Sequence, residues 1–159
     1  MENLIRLRQI ETCYYELRLA EEIENSEDIS SLLNESREKF DEALNNDFNT
    51  SLGLSVFFNM IKILNSLAAQ EKIAKSMSKQ ALPVLEYMLE VLGLEIQIVS
   101  DDEIKMVFEM ISKRESLREE KQFEDADKIR DKIASMGISL IDHKNKTLWM
   151  KKETIKAEK

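Results

Sequence analysis

The sequence predicts a mainly α chain: a four-helix bundle over residues 1–98, then a small α-α-β-β unit over residues 99–150 that ends in a two-stranded hairpin. Three observations carry that prediction. Apolar residues recur at steps of three and four from Leu4 to Met136. Turn residues are scarce, with 3 Gly and 1 Pro in 159 residues, which argues against a sandwich, a barrel or a disulfide-stapled fold. After Gly137 the apolar period shortens to two, the mark of a strand.

The first helix carries Leu4, Leu7, Ile10, Tyr14 and Leu17 on one stripe and fades in the acidic run Glu21-Glu22-Ile23-Glu24. Asn25-Ser26-Glu27-Asp28 is a polar break suited to cap the second helix, whose apolar residues are Ile29, Leu32, Leu33, Phe40, Ala43 and Leu44. Asn45 to Thr50 interrupts it, because Asn and Asp compete with helical backbone bonds and prefer caps. In this corner Asp47 and Asn49/Thr50 are expected to cap the next helix while Phe48 plugs the bend. The third helix starts near Thr50 and runs through Val56, Phe57, Met60, Ile61, Leu64 and Leu67. A fourth follows Ser78 with Leu85, Met88, Leu89 and Leu92. Pro83 is expected in its first turn and Gly93 as its left-handed stop.

Ser100-Asp101-Asp102 opens a fifth helix with Ile104, Val107, Phe108 and Ile111, charged to about Lys121. A sixth, over about 123–135, places Ala126, Ile129, Ile133 and Met136 on one face and stops at Gly137. Residues 138–142 and 147–150 then read as strands around the turn His143-Lys144-Asn145-Lys146. Residues 151–159 read as a basic, disordered tail.

Composition removes much chemistry. One Cys (Cys13) and one His (His143) cannot supply the roughly four ligands of a structural zinc site. They form no disulfide within the chain, which fits a reducing, cytoplasmic setting. The glycines stand alone at 53, 93 and 137, so no phosphate loop is encoded. No catalytic, cofactor-binding or metal-binding residue is therefore assigned. No apolar run approaches the roughly 20 residues of a membrane helix, and the first residues lack a signal-peptide layout, so no membrane partner is expected. Net charge is −8 and uneven: residues 1–100 hold 9 basic and 17 acidic side chains, residues 101–159 hold 14 of each. Only the C-terminal end, with six Lys after His143, approaches phosphates without large repulsion.

Several motifs have bland readings. Lys75-Ser76-Met77-Ser78-Lys79 has the letters of an ATP-binding KMSKS loop in the wrong order, and its partner signature HIGH is missing; it reads as a polar helix–helix connection. The carboxylates of 119–131 read as a solvated face, Cys13 as a small core residue and His143 as a surface turn residue.

Phe40-Asp41-Glu42-Ala43-Leu44-Asn45-Asn46-Asp47-Phe48-Asn49-Thr50 closely resembles the F-x-x-A-[LM]-x-x-D-F-N-T segment in the DALR-type helical domain of cysteinyl-tRNA synthetases. Val91-Leu92-Gly93-Leu94 resembles the end of that domain. Downstream, Ile111 to Arg118 is similar to the family's I-x-x-R-x-x-x-R helix. Lys121 to Asp131 resembles its K-[DN]-[FW]-x-x-A-D-x-[IL]-R-D segment, Met136 to Asp142 its M-G-I-x-L-x-D, and Thr147-Leu148-Trp149 its closing T-x-W. The ordered set covers residues 3–150.

This resemblance implies the C-terminal portion of such a synthetase, with an anticodon-binding-type bundle and an anticodon-reading unit. The class I catalytic domain, with HIGH, KMSKS, ATP and a zinc that reads the cysteine thiol, has no counterpart in these residues and is an implied partner. The other implied partner is cysteine tRNA, with anticodon GCA. The family's anticodon contacts carry over to Arg118, Asp127 and Asp142. Phe123 and Trp149 are candidate stacking faces that also suit a core. Lys144, Lys146, Lys151 and Lys152 are candidate phosphate contacts. Two rival readings stay open: residues 123–133 also resemble the short UVR interaction motif, and the acidic body suits a helical scaffold without nucleic acid. Mycothiol ligases share the synthetase catalytic architecture, but the terminal α-α-β-β unit points to a tRNA reader.

Overall fold

A computed structural model describes residues 2–24, 26–46, 48–97, 99–143 and 146–152, excluding the side chains of residues 2–4 and 143. Among these described residues six helices precede one antiparallel hairpin. The chain divides into two compact units, one of Met1–Thr12 with Gln97–Lys159, the other of Cys13–Ile96. That division differs from the expected 1–98 and 99–150, because helix α1 (Glu2–Arg18) contributes its first turns to the C-terminal unit.

In the unit of residues 13–96, α2 (Ser30–Asn45) packs on α3 (Thr50–Ala69) and α4 (Lys75–Leu92). Its core is the predicted stripe: Leu33, Phe40, Phe57, Met60, Ile61, Leu64, Leu85 and Met88 are buried. Cys13 is buried with them. A Cβ added to Gly53 would stand 3.3 Å from the Leu44 side chain, so α2 and α3 meet where a larger residue would crowd them. Asp28 accepts from the Ser30 backbone N–H at 2.9 Å and from its hydroxyl at 3.0 Å, tying down the entry to α2. Asn49 caps α3 by accepting from the Leu52 N–H at 3.0 Å. Asp47, expected to share that role, lies outside the described residues.

Four expectations are corrected in this unit. Phe48 does not plug the corner: its φ is +50° and its side chain is 83% exposed. The helix α4 begins at Lys75 rather than after Ser78, so Pro83 lies inside it and not in the first turn. Residues 75–79 are consequently helical, with Met77 and Ser78 buried and the Ser78 hydroxyl donating to the Leu17 carbonyl. Finally, α3, at 20 residues, is long and apolar enough to cross a membrane by length and composition. Its Phe57, Met60, Ile61 and Leu64 are instead buried in this unit. Gly93 ends α4 as expected, at φ +65°, with the Leu94 N–H reaching back to the Leu89 carbonyl at 2.9 Å.

In the other unit, α5 (Asp101–Glu119) packs on α6 (Phe123–Ser135), and α6 packs on β1 (Ile138–His143). Ser100 caps α5 by accepting from the Glu103 N–H at 3.2 Å, and Gly137, at φ +76°, turns the chain from α6 into β1. Strand β2 (Lys146–Lys151) pairs with β1 so that Leu140 faces Trp149 and Asp142 faces Thr147. Ile104, Val107, Ala126, Ile133, Ile138, Leu148 and Trp149 form the core. The first turns of α1 close it. Thr12 Oγ1 accepts from the Trp149 backbone N–H at 3.0 Å and lies 3.2 Å from the Trp149 carbonyl, to which its hydroxyl also points. Arg8 Nη2 donates to Ser139 Oγ at 2.6 Å. Lys151 belongs to β2 rather than to a tail; the expected tail residues 153–159 lie outside the described residues.

Candidate nucleic-acid interface

The site grows from one face of α5. Arg114 and Arg118 stand four residues apart, so their side chains project from the same side of the helix. The hairpin register sets Asp142 of β1 opposite Thr147 of β2. These two elements bring their polar ends together. Arg114 donates from Nη1 to Asp142 Oδ1 at 3.0 Å and from Nη2 to Oδ2 at 2.9 Å, a two-pronged pair. Arg118 Nη1 donates to Asp142 Oδ2 at 2.7 Å. The Thr147 hydroxyl lies 2.8 Å from Glu115 Oε1 and 3.0 Å from Asp142 Oδ1, so its single hydrogen is divided between two carboxylates.

Burial grades the cluster. The Arg114 side chain is 6% exposed, while Arg118 and Asp142 are 47% and 46% exposed. Arg114 is thus the internal anchor, and the Arg118–Asp142 pair forms the outer edge. The Arg114 fork, with smaller help from Arg118 and Thr147, holds the Asp142 carboxyl well below the usual carboxylate range despite partial burial. Reciprocally, the bond to Asp142 raises the Arg114 guanidinium above its ordinary value, and the charges of Glu115 and Asp127 act in the same direction.

The sequence-assigned residues fall into distinct groups. Arg118 and Asp142 meet directly. Asp127, on α6, is exposed and has no hydrogen-bond or ion-pair partner among the described residues; its charge acts on Arg114. Phe123 opens α6 with 58% of its surface exposed, leaving a ring available to a base. Trp149 is corrected: it is 0% exposed and packs edge-on against Phe108 at 5.8 Å between ring centres, so no base can stack on it. Lys151 is bound at 2.8 and 3.0 Å to the two oxygens of Glu103, so its charge is largely compensated and it is not a free phosphate contact. Lys152 is exposed and Lys146 half-buried, whereas Lys144 lies outside the described residues.

Sequence reasoning missed Arg114, Glu115 and Thr147. The signal for Arg114 was its four-residue spacing from Arg118. Nothing short of the hairpin register pairs Asp142 with Thr147. Among the described residues no group of three His, Cys, Asp and Glu suits a metal ion. With Cys13 buried in a core, the donor set does not fit the zinc of the implied catalytic domain, nor do lone glycines fit ATP phosphates.

Comparison with known proteins agrees with this architecture. The DALR domain family matches residues 39–97, which run from α2 through α4. The cysteine–tRNA ligase of Finegoldia magna is 34% identical over 132 residues, taking in 83% of this chain and 28% of that protein. The cysteine–tRNA ligase of Fusobacterium nucleatum is 33% identical over 142 residues, 81% of this chain and 29% of that protein. That of Bacillus velezensis is 33% identical over 132 residues, 82% and 28% respectively. The chain thus carries a DALR-type helical domain followed by a small helix–hairpin unit. Within that class it belongs with the cysteine–tRNA ligases, whose sequences it matches over most of its own length while spanning just over a quarter of theirs.

Proposed function

We propose that this chain is the tRNA-binding, anticodon-recognising portion of a cysteine–tRNA ligase, and that its α5–α6–hairpin unit reads the GCA loop of cysteine tRNA. The observation that carries the reading is the meeting of Arg118 and Asp142 at 2.7 Å on an exposed edge, with Asp127 and the Phe123 ring exposed on neighbouring α6. Loop bases are recognised by stacking and by hydrogen bonds to their Watson–Crick edges. Cytosine and adenine offer exocyclic amines and guanine adds imino and amino donors, all suited to carboxylate acceptors; arginine supplies donors for carbonyls and ring nitrogens. Phe123 offers one stacking face. Lys146 and Lys152 offset phosphate charge beside the hairpin.

Attachment of cysteine with ATP, and the zinc that goes with it, belongs in this reading to the remainder of the ligase, acting in the cytoplasm. This chain takes no chemical step of its own. Titration with cysteine tRNA and with the same tRNA carrying another anticodon tests the proposal. Tighter binding of the GCA form is expected; equal binding of the two overturns the anticodon assignment.

A further inference from the structure

Asp142 has little free acceptor capacity. A carboxylate offers about four lone-pair sites. Here three are taken by Arg N–H groups and the fourth faces the Thr147 hydroxyl. A base amine can reach Oδ2 only where another donor leaves. Arg114 is the poor candidate to leave: it is buried and grips both oxygens, so its departure would strand a charge inside the unit. Arg118 makes one bond from a half-exposed side chain and can return to solvent cheaply.

We propose that Arg114 is a positioning residue for base recognition: it fixes Asp142 on β1 while Arg118 is exchanged for an amine of the bound loop, and the released Arg118 guanidinium turns to an acceptor on the RNA. This rests on the anticodon-reading role given above and adds its order of events. Arg118 and the base amine are alternatives on one oxygen, so the outer pair masks Asp142 until a loop arrives. Arg114 never touches the RNA. Its planar fork is what holds the carboxylate at one angle, a task a lysine ammonium, a point donor, cannot perform.

The test uses the full 159-residue chain and RNA stem-loops carrying GCA or GCA with one base replaced. Discrimination is the ratio of the two Kd values, measured well below the melting temperature of each variant. Arg114→Lys keeps the charge and is expected to lower discrimination about tenfold, within the range of one base contact. In the Asp142→Asn background the same change is expected to add nothing, because the two act through one contact. A general structural role would weaken both RNAs alike and leave the ratio unmoved. That result overturns the inference, as does an additive double variant. Loss of discrimination by the wild-type chain itself instead overturns the anticodon reading. Should Arg114→Lys fail to fold, the wild type still decides the matter. The Asp142 carboxyl 13C resonance must shift on titration with the GCA stem-loop as Arg118 leaves, and an unmoved resonance beside a saturable binding curve contradicts the exchange.

Discussion

Glu11 and Asp142 are buried or half-buried carboxylates whose surroundings push them in opposite directions. Glu11, 3% exposed on α1, is pushed up to about 7, chiefly by burial, against a backbone bond from Gln97 and the charge of Arg8. Burial likewise lowers the Arg8 guanidinium. One Glu11 oxygen and two Arg8 nitrogens have no hydrogen-bond partner among the described residues. The folded chain therefore holds a proton at Glu11 that the unfolded chain, at 4.5, has released. Its contribution to stability is full below 4.5 and declines as pH rises through about 7. Glu11→Gln should remove that decline, so thermal melts of variant and wild type should diverge between pH 5 and pH 8, with the variant gaining at the higher pH. Asp142 works the other way. Held below 3.8 by Arg114, it stabilises above that value and is lost as acid protonates it. Asp142→Asn should accordingly flatten the fall in melting temperature below about pH 4. The sequence singles out Asp142 as a base contact, but neither its ion-pair partners nor the burial of Glu11 is legible there. Glu11 lies on α1 with nothing in its neighbours along the chain to mark it as buried, and Asp142 gains its partners only because β1, 28 residues beyond Arg114, folds back onto α5.

Helices and strands were legible where the apolar period was regular. The stripes of α3, α5 and α6, the caps at Asn49 and Ser100, and the stops at Gly93 and Gly137 all follow from residue type and spacing. Legibility failed where tertiary contact overrides a local rule. Pro83 sits in the interior of α4, where its missing N–H would ordinarily argue for a boundary, because Met77 and Ser78 are buried and hold the preceding turns helical. Phe48 projects outward although an apolar ring at a corner suggests a plug. At this scale Asn49→Ala should cost roughly 0.5–2 kcal/mol, the usual loss of an N-cap, in a denaturant titration of the chain. The first turns of α1 also had no sequence mark assigning them to the hairpin. Thr12 binds the Trp149 peptide on both its N–H and its carbonyl. Thr12→Val keeps the shape but leaves those buried groups unpaired, and should destabilise the unit by roughly 1–3 kcal/mol. Loss of protection at the Trp149 amide in hydrogen exchange would report it.

For the whole molecule, an excess of eight negative charges makes RNA binding depend on where the basic groups lie. The hairpin end carries exposed Lys152 and half-buried Lys146, while Glu103 neutralises Lys151. Lys152→Ala should weaken all RNAs about equally and reduce the slope of log K against log salt by about one, a loss that carries no base preference. Discrimination should reside instead in the cluster around Asp142 and in exposed Asp127. That partition separates an anticodon reader from a helical scaffold, and it bears most directly on Asp127, the assigned acceptor without a protein partner among the described residues. The decisive measurement is the Kd of wild type and of Asp127→Asn for a GCA stem-loop and for the same loop with one base replaced. The account predicts that wild type favours GCA by about five- to a hundredfold, the scale of one good base contact, and that Asp127→Asn removes most of that preference while the melting temperature holds. Equal preference in wild type and variant, or none in either, would contradict it.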